Sequence, residues 1–223
     1  FFKQKTAYEI STRDWSSDVC SSDLLQMLEE KASSFDERKL LKDIPAKFFE
    51  KGYIFFRGKP NSESGLENLM EVANQYRDYR FVIASPGLDT HIPENVVVLS
   101  GWLDWQSLNA LYRNAAVVIG QTSSAKRISR TIAHKVYEAA YFGKAYISAK
   151  SPALLELFEN EVSILFCRPD DYKDLGLKIE FLMENSKLRE SMGASMLEKY
   201  EKFVSQEIIA STVLKRLREV GDF

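Results

Sequence analysis

Lys135 and Glu138 stand three residues apart in the stretch 131–148, TIAHKVYEAAYFGKAYIS. That spacing puts a cation and a carboxylate on one face of a helix. Ile132, Val136, Ala139 and Ala140 form an apolar stripe, which suits packing on a sheet. One face of this helix is expected to pack and the other to look into a crevice, with Gly143 ending the helix before a short strand. Glu138 lies between aliphatic neighbours, and a carboxylate in that position accepts hydrogen bonds, two of which a ribose diol would supply. A structural ion pair between Glu138 and Lys135 is the competing account.

Just before this helix the chain reads QTSSAKRISR, gathering Lys126, Arg127 and Arg130 among hydroxyls. Cationic side chains together with free N–H groups at a helix start suit a diphosphate; a solvated basic loop is the alternative. Gly58 follows the first apolar strand, where the lack of a Cβ would let a ligand approach the backbone, although an ordinary turn glycine reads the same. The segment GKPNSESG has the spacing of neither the dinucleotide fingerprint nor the P-loop. His91 and His134 are the only histidines, and neither is spaced with carboxylates as a metal site requires. A structural role is expected for His91, and an added donor in the crevice from His134. Trp102, Trp105 and Tyr112 read as packing residues or as a wall of the cleft. No Ser/His/Asp or Cys/His set is apparent, and no catalytic residue is assigned.

Residues 1–24 do not read as part of a fold. DWSSDVCSSDL, at 14–24, is what a widely used short-read library adapter encodes, and KQKTAYE, at 3–9, matches the outer arm of the same adapter. These residues are set aside, and the gene is expected to extend upstream, leaving this chain truncated. Without Lys3, Lys5, Arg13, Glu9, Asp14, Asp18 and Asp23, the 30 basic and 32 acidic residues become 27 and 28. Such a balance gives no global field for nucleic acid or an anionic membrane. Cys20 leaves with the adapter, so Cys167 has no internal disulfide partner, which fits a reducing, cytoplasmic setting. No apolar run approaches the roughly 18 residues that span a bilayer.

The elements that must position these residues alternate. Residues 25–51 are charged, helical in tendency and interrupted by Pro45; they read as a lead-in to a domain at 52–203 rather than as its core. Strands are expected at 53–56, 80–85, 95–99, 115–120, 145–148 and 162–166. Ser64 and Glu67 read as a capping box for a helix through Tyr76, Asp104 as the cap of a helix over 105–114, and Ser151-Pro152 as N-cap and first residue of a short one. A mostly helical tail starts at Asp170, its last helix occupying 204–223. Strands that are apolar throughout, each separated by a helix, predict a doubly wound, Rossmann-like α/β domain with a parallel sheet. Ligands of such sheets bind beyond the carboxyl ends of the strands, so the loops 57–64, 100–104, 121–130 and 149–152 are the ones expected to form a site.

The order of these pieces resembles the C-terminal, nucleotide-sugar-binding half of GT-B glycosyltransferases of the group 1, or family 4, type. FFRGKPNSESGLENLMEVA resembles that family's first strand, glycine loop and helix, and NVVVLSGWLDWQSLNALYRNAAVVI its stretch ending in L-x-x-x-Y-x-x-A. KVYEAAYFGKAYIS is similar to its K-x-x-E-A-x-A-x-G-x-P-V-I signature, and ALLELFENEVSILFCRPDDYKDL to the segment that follows. The resemblance implies a retaining, metal-independent hexosyl transfer from a nucleotide diphosphate sugar, the donor substrate, with no cofactor. It implies that Glu138 binds the ribose, that Lys135 is the basic residue three before it, and that Gly58, Lys59 and the loop after them lie along the diphosphate. The acceptor, and any peripheral membrane contact, would belong to an N-terminal domain absent here, so the piece would bind without turning over. A role in cell-surface polysaccharide biosynthesis goes with the family. Three departures stand out. The first glutamate of the family's E-x7-E falls on Arg130, the two diphosphate-clamping cations fall on Lys59 and Ser64, and Ala145 replaces proline. Arg57, Lys126, Arg127 or Arg130 would then have to supply the missing charge. The alternative to an enzyme is a non-catalytic GT-B-like binding or scaffold domain.

Overall fold

The computed structural model describes residues 41–88, 91–101 and 103–220. Readings of 1–40, including the adapter segment, and of Trp102 lie outside them. Six strands, β1 (Tyr53–Arg57), β2 (Phe81–Ala84), β3 (Val96–Leu99), β4 (Ala115–Ile119), β5 (Ala145–Ala149) and β6 (Leu165–Cys167), form one sheet. Its order is β3-β2-β1-β4-β5-β6, every neighbouring pair being parallel. The order reverses between β1 and β4, which opens a crevice at the carboxyl ends of those two strands. The Rossmann-like sheet read from the sequence is the sheet found.

Seven α-helices are described: α1 (Leu66–Gln75), α2 (Trp105–Asn114), α3 (His134–Tyr141), α4 (Pro152–Leu155), α5 (Tyr172–Glu184), α6 (Ser186–Phe203) and α7 (Gln206–Val220). They cover the sheet on both faces because the strands are apolar on both. In β1, Ile54 and Phe56 join a cluster with Leu69 and Val72 of α1 and Leu175 and Ile179 of α5. Tyr53 and Phe55 join the opposite cluster with Leu108 and Leu111 of α2 and Val136, Ala139 and Ala140 of α3. Residues 53–56 are at most 1% exposed, so alternation sorts them between two cores rather than between core and solvent.

Three local expectations give way to the structure. Ser64 and Glu67 do not close a capping box: Gly65, at φ 69, is the N-cap of α1 and has no side-chain bond, while the Ser64 hydroxyl accepts from the Leu66 N–H at 3.2 Å. The apolar run at 162–166 is not one strand. The carbonyl of Glu159 accepts from the N–H groups of Val162, Ser163 and Ile164, Glu161 takes φ 63, and Val162 is 50% exposed, so a turn occupies the first half of the run. The described end of the lead-in is core, since Leu41, Ile44 and Phe48 are buried against Tyr53 and Leu111. The other two caps form as read, Ser107 N–H donating to Asp104 at 2.7 Å and Leu154 N–H to Ser151 at 3.2 Å. Asp171, one residue after the expected Asp170, caps α5.

Candidate functional site

The loop after β4 is clamped from both sides. Its Thr122 hydroxyl donates to the carbonyl of Gly65 at 3.1 Å and its Ser123 hydroxyl to that of Glu63 at 2.9 Å, tying it to the glycine loop that follows β1. On the other flank, Asp170 N–H donates to the carbonyl of Thr122 at 2.8 Å, and Ser124 N–H donates to the Asp170 carboxylate at 3.1 Å. Gly65 is fixed by this closeness as well as by its positive φ. A Cβ there would lie 2.0 Å from the Thr122 hydroxyl oxygen and 3.0 Å from Ser123 N, closer than real contacts allow.

At the carboxyl end of β1, three of the residues singled out by the sequence come together. Arg57 Nη1 donates to Glu138 Oε1 at 2.6 Å, and Lys135 Nζ stands 4.4 Å above the centroid of the Phe56 ring, a favourable cation–aromatic distance. Gly58 completes the group: a Cβ there would lie 3.4 Å from Lys135 Nζ and 3.0 Å from Phe56 Cζ. Its backbone needs no unusual φ, and a Cβ would fit tightly against these side-chain ends. Lys126 and Arg130 are exposed on the 121–133 loop, and among the described residues no hydrogen bond or ion pair is shown joining their side chains to this cluster. Arg127 pairs with Glu63 at 3.3 Å. Lys59 is half-buried on the glycine loop. His91 is exposed, and His134 is exposed at the first turn of α3.

Glu138 is not on an open face. It is 1% exposed, and its second oxygen, Oε2, accepts from the Tyr112 phenol at 2.5 Å. The face expected to look into a crevice is roofed by α2 and by the Arg57 side chain, and the ion pair of Glu138 is with Arg57 rather than with Lys135. Tyr112, read from the sequence as packing or as a cleft wall, is held for this contact by stacking on Phe142, centroids 5.5 Å apart, and by an edge contact with Phe55 at 5.0 Å. A buried phenol needs a partner, and that need was the available signal.

The charges in the cluster differ in how they are held. Burial works against the charge of the Arg57 guanidinium, but Glu138 and Tyr112 outweigh it and hold its pKa above the ordinary range. Among the described residues the Lys135 ammonium has no such paired carboxylate. Burial draws it down to about 7, the attraction of Glu138 opposing and the repulsion of Arg57 assisting. Burial, and then Glu138, push the phenols of Tyr112 and Tyr146 well up, so both remain neutral. The Tyr146 hydroxyl, buried on β5, has no hydrogen-bond partner among the described residues. The cluster therefore offers one partnered cation, one lysine poised between charged and neutral, and a carboxylate engaged at both oxygens. Among the described residues no group of three His, Cys, Asp or Glu could hold a metal ion, and no helix is long and apolar enough to cross a membrane. Cys167 is buried and free, with its thiol pushed up to about 12 by burial first and Asp174 next.

Comparison with known proteins gives the family and the fold. The model of the family described as glycosyl transferase-like matches residues 62–214. No curated protein matches the chain. Among solved structures, sucrose-phosphate synthase from Thermosynechococcus elongatus superposes with TM-score 0.68 at 17% identity, over 83% of this chain and 48% of that one. The C-terminal domain of a group 1 family glycosyl transferase from Francisella tularensis superposes with TM-score 0.59 at 16% identity, over 78% of this chain and 95% of that one. A TarM mutant from S. aureus, solved with fondaparinux, alpha-GlcNAc-glycerol and UDP, gives TM-score 0.59 at 15% identity, over 89% of this chain and 42% of that one. The chain thus spans about half the length of the synthase it matches and nearly all of the separate C-terminal domain.

Proposed function

The chain belongs to the glycosyl transferase-like family, and on that premise we propose that it is the donor-binding half of a glycosyltransferase, taking a nucleotide diphosphate sugar at the carboxyl ends of β1 and β4. The observation that carries the reading is the meeting of Arg57, Lys135 and Glu138 at the reversal of strand order, where doubly wound sheets bind ligands. The diphosphate lies along Gly58 and Lys59 toward Arg57 and Lys135, and the ribose toward Glu138. Transfer is of a hexosyl group, retaining and without a metal ion, so stabilising the departing diphosphate falls to these cations. The acceptor binds outside this piece, which holds the donor without turning it over. A cytoplasmic setting and a part in polysaccharide assembly complete the proposal.

Titrating the chain calorimetrically with UDP, GDP and ADP should give saturable heat from one of them at micromolar to millimolar concentration. Silence from all three at millimolar concentration removes the donor site.

Lys135 makes the binding pH-dependent in a definite sense. Its ordinary pKa of 10.5 is lowered to about 7 in the empty site, and an anion placed beside it favours the charged form. Above about pH 7 the amine must therefore take up a proton as the anion binds, so affinity falls as pH rises through 7 to 9. The expected result at pH 8 is fractional proton uptake, read from buffers of different ionisation enthalpy and absent in Lys135→Met. Binding with no proton uptake and a flat pH profile would take Lys135 out of the anion's reach.

One observation favours a second reading, a non-catalytic binding or scaffold domain. Both oxygens of Glu138 are already engaged, and Arg130 stands where the E-x7-E pattern has its first glutamate. Glu138→Gln separates the two readings. The nucleotide's advantage over pyrophosphate drops if the carboxylate receives the ribose and is unchanged if the network only braces the fold.

A further inference from the structure

The pair Arg57–Glu138 is asymmetric in exposure. The glutamate side chain is 1% exposed and its arginine partner 31%, so the carboxylate is enclosed while the guanidinium borders solvent at the end of β1. A carboxylate has lone pairs beyond those used by Arg57 and Tyr112, but with this burial a ribose hydroxyl has no approach to Oε1 while Nη1 sits 2.6 Å from it. Tyr112 cannot open that approach, since it is fully buried and fixed between Phe55 and Phe142. Arg57 is the member of the closure that borders solvent, and its Cζ lies 6.0 Å from the centroid of the Trp105 ring, whose attraction for a cation gives the guanidinium a second resting place.

Resting on the donor-site reading, we propose that Arg57 is the positioning residue that couples the two halves of the ligand. In the empty site it closes Glu138, and a bound diphosphate draws it away and so opens the carboxylate to the ribose. The guanidinium trades one anion for another, keeping charge-assisted hydrogen bonds throughout, while Glu138 trades a guanidinium for two hydroxyl donors. Lys135 keeps a second cation within the cluster as this happens. A nucleoside alone has nothing to offer Arg57 and meets a closed carboxylate. The site therefore discriminates in favour of diphosphate-bearing nucleotides over nucleosides by more than the phosphate contacts themselves supply.

The coupling is reciprocal by linkage, which gives it a signature that a merely structural ion pair lacks. With UDP, GDP and ADP first used to find the base that binds, the test measures the matching nucleoside with and without millimolar pyrophosphate. On the wild-type chain, pyrophosphate should strengthen nucleoside binding about tenfold, within the usual range for coupled sites. Arg57→Met should bind the nucleoside more tightly than wild type, the diphosphate more weakly, and show no effect of pyrophosphate. Glu138→Gln should bind pyrophosphate more tightly than wild type, because Arg57 no longer leaves a charged partner to meet it. If a diphosphate binds but pyrophosphate leaves wild-type nucleoside affinity unchanged, the coupling is overturned and the donor site stands. If none of the three diphosphates binds, the donor site and the coupling fall together. The wild-type measurement decides the matter even where a variant fails to fold.

Discussion

Glu138→Ala should lower the Tm by roughly 5–10 °C and weaken binding of the preferred nucleoside diphosphate at least tenfold. Removing one member of a buried ion pair costs about 3–5 kcal/mol because the other is left without a partner. Here the lower end applies, since Arg57 is 31% exposed and can turn to water once the carboxylate is gone, leaving the buried phenol of Tyr112 as the main orphan. For a chain of this length each kcal/mol is worth about 2–4 °C. The affinity loss has a separate origin, because hydrogen bonds to a charged group contribute about 1.5–3 kcal/mol each and about 1.4 kcal/mol is tenfold. Tyr112→Phe removes the phenol at Oε2 without touching Arg57 and should cost about 1–2 kcal/mol of stability. Thermal melts of both variants beside calorimetry keep fold and ligand apart. A Glu138→Ala chain that melts as wild type would mean that the pair does not brace the structure.

The sheet was legible because its strands are short apolar runs separated by helices, and a parallel sheet buried on both faces demands that pattern. Caps were legible where a single side chain does the work, as at Asp104 and Ser151. They were not legible at Ser64, where the backbone of Gly65 in a left-handed conformation starts the helix and the polar residues around it serve the loop instead. The run at 162–166 misled for a related reason: apolarity marks residues that can be buried, and Val162 is not. In the site, sequence separation hid the decisive contact. Arg57 and Glu138 are 81 residues apart and Tyr112 and Glu138 are 26 apart, whereas the i, i+3 spacing drew attention to Lys135. Helical spacing says which residues share a face and nothing about what roofs that face. Only the reversal between β1 and β4 brings Arg57 across the sheet to α3.

Gly193→Ala should be strongly disruptive, although alanine favours a helix interior over glycine by about 1 kcal/mol. Gly193 lies in α6 where that helix crosses the end of α3. A Cβ there would sit 2.0 Å from the carbonyl oxygen of Gly143 and 2.8 Å from its carbon. Both atoms are backbone, in a residue already at φ 59, so no rotamer relieves the contact and α6 must move away from the turn after α3. Overpacking of this kind costs about 1–3 kcal/mol, occasionally more, and here the higher figure governs because α3 and the turn into β5 move together. Gly176→Ala makes the fitting control. Its Cβ would meet the Tyr76 ring at 2.6 Å, also too close, but the ring is a side chain that is only partly buried and can swing aside, so the helix propensity gain offsets most of the cost. The expected order of melting temperatures is wild type and Gly176→Ala together, with Gly193→Ala about 5 °C or more below them. Because α3 carries Lys135 and Glu138, Gly193→Ala should also weaken nucleotide binding, without any change at the site itself. Equal stability of the two alanine variants would show that α6 and the turn after α3 do not meet backbone to backbone.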